Sequence, residues 1–225
     1  MVNALRHTNR GQTTLLEYIV LGWFLLVLSG SVLGTFAQYP PVFYLAVGGP
    51  VVLFVAVYLL FAAFRRFVHA LVGDPWGITV LQIYRVEGVA MAIQALRHAL
   101  PAVFGLPAGL GDLFIGVTAL LAALAWTTRA KSGTVLFVLW NVLGLLDLLI
   151  ALGTGGLALL TQSGPVTMAP MRLYPLSLVP AFGVPLAFIL HLTGLAQVRY
   201  LSRKRAPERD SLHLSSAVRA QVRDR

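Results

Sequence analysis

Six apolar stretches divide this chain, at about 15–36, 43–64, 78–100, 111–127, 135–152 and 175–198. A helix needs roughly 20 mostly apolar residues to cross about 30 Å of hydrocarbon, where every backbone amide must be satisfied inside its own segment. The recurrence of such stretches restricts the chain to one class: all-α, a polytopic integral membrane helix bundle. Composition agrees with it. Hydrophobic residues make up 58% of the 225 and charged residues 11%, with mean hydropathy +0.81. A soluble domain carries about 25% charged residues, and a core of this size cannot hide so much apolar surface from water. The first stretch exceeds the roughly 7–15 residues of a signal-peptide core and lacks a small-x-small cleavage site after it, so it reads as a retained helix.

Basic residues test the division, because Lys and Arg accumulate in cytoplasmic loops. Arg6 and Arg10 precede the first stretch, Arg65 and Arg66 follow the second, and Arg129 and Lys131 follow the fourth. Eight more, from Arg199 to Arg225, follow the sixth, so 14 of the 17 basic residues fall on one side. Only Arg172 lies on the other, while Arg85 and Arg97 sit inside the third stretch. The alternation holds for six transmembrane helices with the N and C termini cytoplasmic, in a bacterial-type inner membrane. Dropping the polar third stretch would leave the ends on opposite sides. The expected organisation is a tail over 1–14, a transmembrane domain over 15–200, and a basic tail over 201–225 too polar to fold alone. The +9 net charge thereby reads as topology, and nucleic acid is not an expected partner. With no Cys, a disulfide framework, a thiolate metal site and a cysteine nucleophile are excluded.

A charged residue at mid-membrane costs about 2.5–3.5 kcal/mol on insertion scales, so it is expected to face protein or water. A rise of about 1.5 Å per residue sorts these groups by depth. An outer layer holds Arg97, His98, Asp112, Asp147 and Arg172; a second, inner layer holds Arg85, Glu87, Asn141 and His191. Ligand binding or proton relay is assigned to Arg97, His98, Asp112, Asp147, Glu87 and Arg172. Helical angle puts Glu87, Met91, Gln94 and His98 on one inward stripe, with Arg85 facing almost the opposite way. Trp140, Gly144 and Asp147 share another stripe, with Asn141 to one side. The structural alternative pairs Arg97 with Asp112 or Asp147 to hold helices together.

The run 101–112 carries two prolines and three glycines. It is expected to interrupt the helix, a break tolerated at this depth only where it is buried or lines a cavity. One reading has it present a helix N-terminus to an anionic group, aided by Arg97 and Arg172. In the other, Asp112 caps the fourth helix. Residues 160–175 read as an outer loop, a lid or a re-entrant dip. Gly30 and Gly34 form a small-xxx-small pair suited to helix packing. Trp23, Trp76, Trp126 and Tyr39 fall near predicted boundaries, as an aromatic belt does. Hydrolase, zinc-protease and phosphate-loop signatures are missing. His98 and His191 differ too much in depth to share a haem, and no cofactor or metal is expected. The residues Leu106-Pro107-Ala108-Gly109-Leu110-Gly111-Asp112 with Gly116, then Trp140-Asn141 and Asp147, resemble a pattern in small uncharacterised bacterial membrane proteins. That resemblance covers about the middle third of the chain and implies no activity.

The leading functional expectation is binding or transport of a small solute, anionic or proton-coupled, through a polar cavity open to the outer face. The second is a non-catalytic accessory or assembly subunit, and the third a membrane-embedded enzyme. The expected partners are the lipid bilayer, a small-molecule solute, and a second copy or a membrane complex.

Overall fold

A computed structural model describes residues 2–128, 130–161 and 164–202. Arg129 and the basic tail from residue 203 on lie outside the described residues. The chain is helical, with no strand among the described residues. Its helices are α1 (Val2–Val32), α2 (Thr35–Gln38), α3 (Pro40–Leu60), α4 (Ala62–Val72), α5 (Trp76–Leu81), α6 (Gly88–Leu96), α7 (Ala102–Thr127), α8 (Lys131–Leu160) and α9 (Val179–Ser202). Four of them, α3, α7, α8 and α9, are long and apolar enough to cross a membrane, and α1 carries a shorter apolar helical piece, Leu16–Val32. The protein is therefore a membrane-embedded helical bundle.

Helix ends follow local chemistry. Gly34 takes a left-handed conformation (φ 72°) that only glycine adopts without strain, and it ends α1. Gly30 faces the Phe36 ring of the returning α2, so the Gly30/Gly34 pair serves one close contact and one turn. The second apolar stretch divides at Phe61, whose extended backbone separates α3 from α4, and Arg65, Arg66 and His69 ride on α4. Helix α1 begins at Val2, inside the segment read as a tail.

The third stretch departs most from expectation. It is α5, then a 3₁₀ segment over Gln82–Glu87, then α6, joined without leaving helical backbone angles. A 3₁₀ helix has about 3.0 residues per turn, so Gln82, Arg85 and Gly88 stack on one side. All three are buried, and the same face continues through Met91, Ala92 and Ala95. The inward stripe drawn at α-helical pitch is thus corrected: Glu87 and His98 are exposed, and Arg85 faces the interior at 1% exposure.

The 101–112 run is also corrected. Rather than a break, it forms the first turns of a continuous α7 that starts at Ala102 and carries Pro107 internally. Gly105, Gly109 and Gly116 lie on one face with Asp112 and meet the preceding segment. A Cβ on Gly109 would come within 2.6 Å of both the Ala92 nitrogen and the Gly88 oxygen, and one on Gly116 within 2.6 Å of the Val86 nitrogen. Small residues are what allow such backbone approach in a membrane bundle. Helix α8 follows on the other side of α7, longer than the predicted 135–152. Helix α9 opens with a π-helical turn at Val179–Gly183 containing Pro180, which lacks a backbone N–H to continue the ladder. Around that turn α1, α2 and α3 pack through Val27, Phe36, Phe43 and Ala181.

Candidate functional site

The intramembrane polar residues gather where the middles of four helical segments meet. Arg85 enters from the 3₁₀ segment, Asp112 from α7, Asn141 and Asp147 from α8, and His191 from α9. Arg85 Nε and Nη2 both lie 2.6 Å from Asp112 Oδ1, and Nη2 also donates to Asp147 Oδ2. Its Nη1 sits 3.0 Å from His191 Nε2. A guanidinium only donates, so this imidazole nitrogen accepts and the ring proton is on Nδ1. From there it is donated to Asn141 Oδ1 at 3.1 Å, and Asn141 Nδ2 donates to the Phe137 carbonyl at 2.9 Å. Trp140 covers the imidazole, centroid to centroid 5.1 Å, and gives its indole N–H to Thr118 Oγ1 at 2.9 Å.

Two glycines make room for this network. A side chain at Gly111 would collide with the Asp147 carboxylate, and one at Gly144 with the His191 ring. Every guanidinium nitrogen has a partner, the condition under which a buried ion pair offsets its desolvation cost. One arginine faces two carboxylates that are 10% and 12% exposed, so with both ionised the cluster carries a net charge of −1. The network is tightly filled. The space beside Arg85, Asp112 and Glu87 is about 10 Å³, room for about one water. Glu87 lies at the edge of this space, exposed, beside Gly183, with no hydrogen bond or ion pair among the described residues.

One helical turn further along α8 and α9, from Leu148 to Ala151 and from Gly183 to Pro180, a larger cavity of about 280 Å³ opens. Its walls are apolar, with Phe43, Phe104, Met168 and Met171 prominent, and Arg172 is its only charged lining residue. From the segment read as an outer loop, a lid or a re-entrant dip, Met168, Met171 and Arg172 form part of this wall. Met168 and Met171 are buried against Phe104 and Ala158, and Ser177 Oγ meets Ser31 Oγ at 2.5 Å.

The division into an outer and an inner layer is corrected: Asp112, Asp147, Arg85, Asn141 and His191 form one network. The helix start at Ala102 is the reason, since it moves Asp112 about three turns into α7, level with Arg85, and removes it as a cap. Arg97 and His98 stand apart. Both are exposed at the turn after α6, where His98 has φ 57°, and Arg97 pairs with neither aspartate. Trp126 is not simply a boundary residue, because it is buried and its indole N–H is 2.8 Å from Asp74 Oδ1. Sequence reasoning passed over the larger apolar cavity, whose Met and Phe residues carry no polar signal. It also passed over Gln82, whose buried Oε1 has no hydrogen-bond partner among the described residues.

Among the described residues, no three His, Cys, Asp or Glu side chains come together in a way that could hold a metal ion. Both ring nitrogens of His191 are engaged in hydrogen bonds, so neither is open to an axial ligand. No curated protein sequence and no solved structure matches the chain. A family match does exist, over residues 40–199, which takes in the whole polar network and the larger apolar cavity but not α1. The chain belongs to the family described as Domain of unknown function (DUF8737).

Proposed function

We propose that this protein is a six-span carrier or receptor for a small amphiphilic solute, apolar in body and anionic at one end. The six spans are α1, α3, the α5–α6 segment, α7, α8 and α9, with both termini on the cytoplasmic side and the larger cavity opening outward. The observation that carries this reading is the position of that cavity. It is apolar apart from Arg172 and lies one turn from a buried network one positive charge short of neutrality. Solute pockets are mostly apolar, with a few placed polar groups fixing orientation. Arg172 would hold the anionic end, and the aromatic and methionine walls the body. A proton or small cation would complete the charge of the network as solute moves, with Glu87 at its edge.

The test uses the full chain in nanodiscs, titrated with carboxylates of increasing chain length and followed by melting temperature. Wild type is expected to be stabilised by medium-chain carboxylates, Arg172→Gln to lose that response, and Asp112→Asn/Asp147→Asn to keep it while losing uptake into proteoliposomes. Uptake by the double variant at the wild-type rate would remove the network from the function.

One observation favours a second reading, an accessory or assembly subunit. Glu87 is exposed at the rim of the network, with no hydrogen bond among the described residues, and a partner helix can supply one where lipid cannot. Gentle extraction with cross-linking from a cysteine placed at Val86 would then recover one fixed partner, and Glu87→Gln would release it.

A further inference from the structure

At the opposite end of the bundle from the amphiphile cavity lies a second, larger one of about 580 Å³, between the α3–α4 corner and the end of α9. Its lining includes Arg65, Arg66, Arg199, His69, Tyr58 and Tyr200, and contains no carboxylate. Both ion pairs among the described residues belong to Arg85, so these three guanidiniums have no acidic partner there.

The break at Phe61 builds this site. It leaves the last carbonyls of α3 without helical partners, and Arg65 Nη1 donates to two of them, Tyr58 O at 3.0 Å and Leu59 O at 2.7 Å. Both Nη1 hydrogens are then used, while Nε and Nη2 have no bond to described residues and stay available. Arg66 and Arg199 are exposed and face the same space from α4 and α9. The side wall is fixed in advance. Tyr58 Oη meets His69 Nε2 at 3.1 Å, and His69 Nδ1 meets Gln197 Oε1 at 2.8 Å. Gln197 Nε2 in turn donates to the Gly73 carbonyl at 2.7 Å, which fixes its amide orientation. The His69 ring stacks flat on Tyr200, centroids 4.3 Å apart. These bonds tie α3, α4 and α9 together and hold the cavity open.

Three unpaired guanidiniums converging on one preformed cavity repel one another until an anion joins them. Arginine suits phosphate above other anions because its planar fork donates two parallel hydrogen bonds. Basic pockets between helices on the cytoplasmic side are where anionic lipid head groups bind. We propose that this cavity is a phosphate-binding site, formed by Arg65, Arg66 and Arg199. It takes either the phosphomonoester head of an anionic phospholipid or a free phosphate anion. The site shares no residue with the outer cavity, so its existence does not depend on the solute reading.

The experiment titrates the full chain in detergent with dioctanoyl phosphatidic acid, dioctanoyl phosphatidylcholine or inorganic phosphate, reading melting temperature by tryptophan fluorescence. Stabilisation by phosphatidic acid but not by phosphatidylcholine or inorganic phosphate identifies a lipid head group as the ligand. Stabilisation by inorganic phosphate as well identifies free phosphate. In Arg66→Gln/Arg199→Gln, which removes no hydrogen bond of the fold, the half-saturating concentration is expected to rise at least about tenfold. Ala196→Leu keeps all three arginines but fills the cavity, and the same rise is expected. Wild type responding to neither phosphate probe, or a wild-type response in either variant, overturns the site.

Discussion

Helices α3 and α7 are both long and apolar and each carries one internal proline, yet 6% of the most apolar stretch of α3 is buried against 44% of that of α7. The difference is side-chain size on one face. Helix α7 offers Gly105, Ala108, Gly109, Asp112, Gly116, Ala119 and Ala123 to its neighbours, so backbones come together and α7 becomes the axis of the bundle. Helix α3 offers Val, Leu and Phe, which lipid solvates as well as protein does, and it stays at the periphery with Phe43 as its only buried residue. In a membrane, hydropathy selects what enters and small residues select what lies at the centre. The buried charges follow the same rule: the ion-paired network draws its residues from the 3₁₀ segment, α7, α8 and α9, and none from α3.

The largest effect expected from breaking this contrast is at Arg85. Replacing it with Gln leaves two buried carboxylates without their cation and should cost about 3–5 kcal/mol, read by denaturant titration in mixed micelles. Next comes a matched pair of glycines. Gly109→Val drives a side chain into the Ala92 and Gly88 backbone and should cost about 1–3 kcal/mol. Gly48→Val in α3 meets nothing within 4 Å and should be nearly neutral in the same assay. Equal losses at the two positions would mean that α3 is as enclosed as α7. Trp126→Phe removes the hydrogen bond to Asp74 at the far end of α7 and should cost about 1 kcal/mol. The smallest effect belongs to Arg97→Gln, within about 0.5 kcal/mol, because that side chain is exposed and pairs with no acidic group among the described residues.

Much of the molecule can be read from residues alone, and the places where reading fails have physical causes. The α8 face of Trp140, Asn141, Gly144 and Asp147 is visible from its period because α8 is a regular helix. Arg85 is misplaced by the same method because a 3₁₀ segment turns each residue through about 120° rather than about 100°. That brings Arg85 about 60° further onto the Gly88 face but moves Glu87 by only about 20°. Glu87 misleads because the buried face is built of Gly88, Ala92 and Ala95, which carry no polar signal, and it ends at the rim of the network. Glycine is ambiguous in a different way. In the 101–112 run it is compatible with a broken backbone and with close helix contact, and only the neighbour decides between them. Once the run became helix, Asp112 moved from a cap to mid-bundle and the two polar layers became one network. The larger apolar cavity left no trace in the pattern, since Phe43, Phe104, Met168 and Met171 look like any other core residues.

The proposed function stands on an outward-opening cavity beside a sealed polar network, and labelling of single cysteines decides whether the molecule has both. Because the chain has no cysteine, a single introduced one reports without background. Ala151 lines the cavity and Leu148, one turn away on the same helix, is 1% exposed and borders the network. With a membrane-impermeant maleimide added to the outer face of intact cells, Ala151→Cys is expected to be labelled and Leu148→Cys to remain unlabelled. Labelling of both positions, or labelling of Ala151→Cys only from the cytoplasmic face of inverted vesicles, would contradict it.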